Sequence, residues 1–181
     1  SLATITFEEG CQITSFAQYQ FEDCTALANI VIPSSVTTIN GYAFSGCTAL
    51  QTITIPYSVT SILGYAFDGS GLQTINYGTG ITTIAGFTFN ACTSLATVNF
   101  SSSITTIETD AFNGCTGLKT IEIGEGVTTI GEYAFRDSGL ETVTFNSASE
   151  IATIGNNAFR GITTLTSVTF VSTIENIGDY A

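Results

Sequence analysis

Apolar residues return along this chain at an interval far longer than the period of any helix or strand. Phenylalanine stands at Phe21, Phe44, Phe67, Phe89, Phe112, Phe135 and Phe159, at intervals of 22 to 24 residues. Leucine follows five or six positions later, at Leu27, Leu50, Leu72, Leu95, Leu118, Leu140 and Leu165. An Ile or Val stands three places beyond each leucine, and a bulky apolar residue two places after that. Self-similarity at roughly 20 to 50 residues is the mark of a solenoid built from one repeated supersecondary unit.

The unit that begins at Phe44 displays the elements. From Thr52 to Ile55 polar and apolar residues alternate, which is the period of a strand with one buried face, and the run is too short for a helix. A polar link follows, Pro56-Tyr57-Ser58 here and Gly124-Glu125-Gly126 elsewhere, and then a second apolar-spaced segment such as Val36-Thr37-Thr38-Ile39 or Val127-Thr128-Thr129-Ile130. Gly41, Gly64, Gly86, Gly131, Gly155 and Gly178 mark a turn. The stretch after it, Tyr42-Ala43-Phe44 in one copy, is expected to make one short helical turn. The coil is then complete.

Such a coil cannot stand alone. About six inward side chains contribute ~1.5 to 3 kcal/mol each, whereas ordering the backbone costs ~1 to 2 kcal/mol per residue. Copies must therefore stack, with strands about 4.8 Å apart, so that about eight coils form a rod on the order of 40 Å long. The expected fold is a mostly β solenoid with a parallel sheet on one face and short helical turns on the other. Residues 1–181 read as a single such unit. Leu2 to Phe7 matches the strand part of a coil without its phenylalanine half, and Ala181 stands one residue before the next expected phenylalanine. With no recognisable cap at either end, the expectation is a piece of a longer array.

Composition narrows the function. Charged residues are only 10% of the chain while 44% is hydrophobic, so neutral polar groups must solvate the surface. The 32 threonines supply them on β-branched stems that suit strands. A net charge of −12 repels phosphate backbones and anionic lipid headgroups, which excludes nucleic acid as a partner. No apolar run reaches the ~18 to 20 residues of a spanning helix, so direct membrane insertion is not expected. With no histidine, the commonest general base and metal ligand is missing. No zinc-ligand spacing and no calcium loop occurs, and neither cofactor nor metal is expected.

The string from Tyr42 to Ile62, Tyr-Ala-Phe-x-Gly-Cys-Thr-x-Leu-x-Thr-Ile-x-Ile-Pro-x-x-Val-Thr-x-Ile, resembles the BspA-like class of leucine-rich repeat. The likeness recurs about seven times and spans essentially the whole chain. It implies a right-handed leucine-rich-repeat solenoid whose Leu-x-x-Ile-x-Ile strands form one parallel sheet. It also implies a surface or secreted, non-enzymatic adhesin that attaches to host proteins or cells. Departures occur where Ser70 and Ser138 replace a cysteine in shorter units, Asp110 and Asn157 replace the tyrosine, and Ile162 replaces another cysteine.

The outward strand positions form two rows on the sheet face. The candidate binding residues are Thr52, Thr74, Thr97, Thr120 and Thr142 in one row, and Thr54, Asn76, Asn99, Glu122 and Thr144 in the other. A strand face needs little ordering on binding, which favours a protein ligand such as a host matrix or cell-surface protein. Threonine also suits a solvated strand for its own sake, so a stalk with no ligand is the rival reading. Regular Thr-x-Thr pairs could order water as an ice-binding surface does, although Val31, Asn76, Asn99 and Glu122 interrupt the lattice. Hydrolysis of a polysaccharide would need a recurring acidic pair, and none appears. Oligomeric state is left open.

Three further features stand out. Cys24 and Cys47 lie 23 residues apart, as do Cys92 and Cys115, which puts disulfides within reach across adjacent coils. Side chains on adjacent coils point the same way, however, and the reading favoured is buried free thiols. Tyr19, Tyr42, Tyr65 and Phe87 share one repeat position and are expected to stack, partly buried, as an aromatic ladder. Lys119 is expected beside Glu141 on the next coil, and Asn99-Phe100-Ser101 fits a glycosylation sequon.

Overall fold

A computed structural model describes residues 2–181. Among them sixteen short strands alternate between two flanks of a parallel solenoid of eight coils. The first strand of each coil is β1 (Thr4–Ile5), β3 (Asn29–Ile30), β5 (Thr52–Ile55), β7 (Thr74–Tyr77), β9 (Thr97–Asn99), β11 (Thr120–Ile123), β13 (Thr142–Phe145) or β15 (Ser167–Val168). The second is β2 (Ser15–Phe16), β4 (Thr38–Ile39), β6 (Ser61–Ile62), β8 (Thr83–Ile84), β10 (Thr106–Ile107), β12 (Thr129–Ile130), β14 (Thr153–Ile154) or β16 (Asn176–Ile177). Equivalent repeat positions pair directly, Thr52 with Thr74 and Ile53 with Ile75, for example. Register is held because a slip of one residue would turn every isoleucine outward.

The core is a set of columns running along the rod. Each repeat leucine from Leu27 to Leu140 is buried, as are the strand isoleucines and valines Ile53, Ile75, Ile121 and Val143. Phe44, Phe67, Phe89, Phe112, Phe135 and Phe159 stack face to face with ring centroids 5.2 to 5.5 Å apart, and Phe21 lies 5.3 Å from Phe44 with its ring tilted by 31°. The repeat distance sets this separation, so each ring covers its neighbour and is covered in turn.

The third flank corrects one expectation. Among the described residues there is no helix, and the Tyr-Ala-Phe segment is a pair of tight turns. Each coil places the residue two before the phenylalanine position in the left-handed region: Tyr19, Tyr42, Tyr65, Phe87, Asp110, Tyr133, Asn157 and Tyr180 have φ between 54° and 62°. Four residues later a second left-handed residue follows, such as Asp23, Gly46, Gly69, Ala91 or Gly114. Helical geometry cannot continue through a left-handed residue, so the chain turns twice instead.

These turns point backbone groups along the rod. The N–H of Phe21 donates to the Ala43 carbonyl of the next coil, and equivalent bonds of 2.8 to 3.3 Å follow from Phe44, Phe67, Phe89, Phe112, Phe135 and Phe159. A second series runs from Asp23 N–H to Ser45 O through Asp137 N–H to Arg160 O at 2.8 to 2.9 Å. A left-handed backbone is strained for non-glycine residues, and two bonds to the next coil per turn hold it in place.

Close approach fixes certain glycines. A Cβ on Gly71 would stand 2.0 Å from the Thr48 carbonyl oxygen, and one on Gly139 would stand 2.0 Å from that of Thr116. Both follow Ser70 or Ser138, where the coil is one residue shorter and the backbone is drawn against its neighbour.

Candidate functional site

The strand flank carries all ten candidate residues. Thr52, Thr54, Thr97, Thr120, Thr144, Asn99 and Glu122 are exposed, while Thr74, Asn76 and Thr142 are half-buried. Alternation within each strand does this: Ile53 and Ile55 turn inward and leave Thr52 and Thr54 outside. Pairing aligns Thr52, Thr74 and Thr97 in one row and Thr54, Asn76 and Asn99 in the other. It aligns Thr120 with Thr142 and Glu122 with Thr144 in the same way. Within the rows Asn99 Nδ2 donates to Asn76 Oδ1 at 2.6 Å, and Thr144 Oγ1 donates to the Ile121 carbonyl at 3.3 Å.

The rows are not continuous from end to end. Strands pair as β1–β3, β5–β7–β9 and β11–β13–β15, leaving interruptions between β3 and β5 and between β9 and β11. At the second interruption the ten candidates divide into six on one side and four on the other. The chain remains tightly apposed on both sides of the gap. A Cβ on Gly117 would lie 2.6 Å from the Thr93 carbonyl oxygen, and one on Gly126 would lie 2.3 Å from that of Ser102. Between these pinch points the strands part over a cleft of about 540 Å³, lined by Thr97, Asn99, Ser101, Thr120, Glu122 and Asn146 among others. Phe100 overlies Gly124, where a Cβ would be 3.0 Å from Phe100 Cβ, and Val98 is only half-buried where its counterparts Ile53 and Ile75 are buried. The candidate list contains four of the cleft residues, but nothing in the repeat spacing signals the cleft itself.

The other features fall on different flanks. Tyr19, Tyr42, Tyr65 and Phe87 stack as expected on the turn flank, with centroids 5.0, 4.8 and 4.7 Å apart. Their faces cover one another, so between its two end rings the ladder offers edges and hydroxyls to a ligand and no free ring face. Asp110 ends the stack. Its side chain is only 8% exposed, with Arg136 3.5 Å away. Burial raises its pKa, the Arg136 guanidinium opposes the rise, and Glu132 adds to it.

Arg136 anchors a polar chain on the same flank. Its Nε donates to Asn113 Oδ1, Asn113 Nδ2 donates to Asn90 Oδ1, and Asn90 Nδ2 donates to Asp68 Oδ1. A cation at one end and a carboxylate at the other polarise every bond in one direction. Arg136 also lies over the Tyr133 ring at 4.9 Å.

All five cysteines are free thiols. Cys47, Cys92 and Cys115 are buried, and each donates its S–H to a phenylalanine carbonyl of the preceding coil, Phe21, Phe67 and Phe89, at 3.0 to 3.2 Å. Burial pushes the thiols of Cys47 and Cys92 up to about 12 and raises that of Cys115 well above its ordinary value. They are inert in the folded chain. Lys119 and Glu141 stand 3.9 Å apart, both about half exposed. No cluster of three or more metal-ligating side chains occurs among the described residues, and no helix there is long and apolar enough to cross a membrane.

Comparison with known proteins agrees with this architecture. A leucine-rich repeat protein from Bacteroides ovatus is 26% identical over 98% of this chain and 51% of its own, with a TM-score of 0.74. One from Eubacterium ventriosum is 28% identical over 95% of this chain and 46% of its own, with a TM-score of 0.77. The T. pallidum leucine-rich repeat protein is 26% identical over 90% of this chain and 77% of its own, with a TM-score of 0.73. The chain thus spans about half the length of the first two. No curated protein matches it. The BspA type leucine rich repeat region matches in six copies across residues 14–141 and 82–181. With that motif repeated along nearly its whole length and stacked into parallel coils, the chain belongs to the BspA-type leucine-rich repeat family.

Proposed function

We propose that this chain is a non-enzymatic protein-binding module of a cell-surface or secreted adhesin, and that it engages host proteins through its strand face. Leucine-rich repeats are in general modules of protein–protein interaction, and the BspA-like resemblance supports the surface setting. The observation that carries the reading is the face itself: two rows of hydroxyl and amide side chains, in register across paired strands, whose backbone is already ordered before any partner arrives. Little further entropy is lost when such a surface binds. Stacked coils also offer many equivalent contacts, so weak interactions can sum.

The test is capture of matrix and plasma proteins on the immobilised chain, repeated with charged or bulky side chains at Thr74, Asn76, Thr97, Asn99, Thr120 and Glu122. Capture that is lost with all six supports the strand face. Capture that persists places binding elsewhere on the coils. If nothing is captured by the unmodified chain, the repeats act as a spacer.

A further inference from the structure

We propose that the cleft between β9 and β11 seats a lysine or arginine side chain carried on an extended segment of the protein partner. This rests on the strand face being the binding surface, and adds to it a place and a chemistry.

The first argument is shape. The sheet is open at this junction while the coils stay pinched at Gly117 and at Gly126, so the opening is a bounded recess rather than a splayed end. In every other paired junction of this flank the residue before the strand donates to the coil below: Gln73 N–H to Gln51 O, Ala96 N–H to Gln73 O and Glu141 N–H to Lys119 O. Lys119 N–H makes no such bond to Ala96 O, whose carbonyl is left as an acceptor at the cleft wall.

The second argument is the sign of the hydrogen-bonding groups. Asn99 directs its Nδ2 at Asn76, which leaves Oδ1 as an acceptor. Asn146 directs its Nδ2 at Glu122 Oε1, at 3.3 Å, which fixes that carboxylate and leaves Oε2 free to accept. Glu125 adds a second exposed carboxylate to the rim. The side-chain amides and carboxylates thus turn acceptors to the recess, beside the Thr97 and Thr120 hydroxyls, which can donate or accept. Ammonium and guanidinium groups carry donors and no acceptor, and match the Ala96 carbonyl, Asn99 Oδ1 and Glu122 Oε2 together.

The third argument is charge. No Lys or Arg lines the cleft, and the nearest in sequence, Lys119, is turned to Glu141. Two carboxylates at the recess, on a chain of net charge −12, draw a basic segment in and hold its side chain.

Titration calorimetry with a synthetic peptide of alternating arginine and serine tests the proposal on the full chain at low ionic strength. The comparison is between E122Q/E125Q and E22Q/E175Q, two variants of equal net charge altered at exposed carboxylates. E122Q/E125Q is expected to weaken binding by at least about fivefold and E22Q/E175Q by less than about twofold. Retained far-ultraviolet spectra confirm folding of both. Equal weakening in the two variants overturns the proposal, since the overall field would then be the cause. So does an absence of peptide binding, or tighter binding of a neutral gluco-oligosaccharide that E122Q/E125Q abolishes. The two readings fail separately. Captured protein that is lost with the six strand-face changes but retained by E122Q/E125Q sinks the cleft and spares the adhesin; peptide seated in the cleft with no protein captured does the reverse.

Discussion

The turn flank and the strand flank of this solenoid are made by the same coils, yet only one of them is unbroken. On the turn flank the phenylalanine N–H reaches the next coil at every junction from Phe21 to Phe159. On the strand flank the ladder parts twice, and the second strands part once more, between β6 and β8. No junction loses both strand pairings, and none loses its turn bonds. The coils are therefore held from the turn side and the core. The strand side is free to open locally, and the cleft between β9 and β11 lies there.

The sharpest way to break this comparison is to attack the shared column. Phe112→Ala removes a buried ring that stacks on Phe89 and Phe135, and should cost about 3 to 5 kcal/mol. Thr120→Ala, on the exposed face of the same region, should change stability by less than about 0.5 kcal/mol. Urea unfolding of both gives the difference; a loss below about 1 kcal/mol for Phe112→Ala contradicts the account of the column.

Glycine substitutions separate close approach from backbone angle. Gly71→Ala places a methyl against the Thr48 carbonyl and should cost about 2 to 3 kcal/mol, in the range of overpacking. Gly69→Ala meets open space and bears only its φ of 61°, a cost of ~1 to 2 kcal/mol. Similar midpoints for the two would mean that the coil relaxes around the clash.

Hydrogen exchange reads the flanks directly. The unbonded Lys119 amide, next to the cleft-lining Thr120, should exchange at least ~10-fold faster than Gly114 N–H, which is held by the Arg136 carbonyl on the turn flank. Comparable protection at both amides would show that the strand flank is closed in solution.

The smallest effect concerns Asp110. Burial raises its pKa in the folded chain above the ordinary 3.8, so the folded state holds that proton more tightly than the unfolded state. Its contribution favours folding below the ordinary value and is lost as pH rises from there through the raised folded value. Asp110→Asn should remove this component, so that the difference in stability between the two proteins changes in that acid window and is flat above it. A difference that is constant across the window contradicts a raised folded pKa.

Much of the site and fold could be read from residue order, but unequally. The seven phenylalanines and leucines declared the coils because burial demands the same residue type at the same place in each copy. The outward rows followed from alternation alone, since Ile53 and Ile55 inside require Thr52 and Thr54 outside. The turn was misjudged because Tyr42 and Tyr65 are not residues that advertise a left-handed backbone. Asp110 and Asn157 at the same position, with Gly46, Gly69 and Gly114 four places on, carried the signal that could have revealed it. The cleft left no such trace: Leu95 to Leu118 spans 23 residues, as does Leu72 to Leu95, where the strands pair.

The order of amino acids by itself determined that this chain coils, which side chains enter the core and which rows face out, because those follow from a period and from the transfer of apolar surface out of water. Tertiary structure decided where neighbouring strands bond and where they part. That depends on packing between residues far apart in the chain, to which a repeat of constant length is blind.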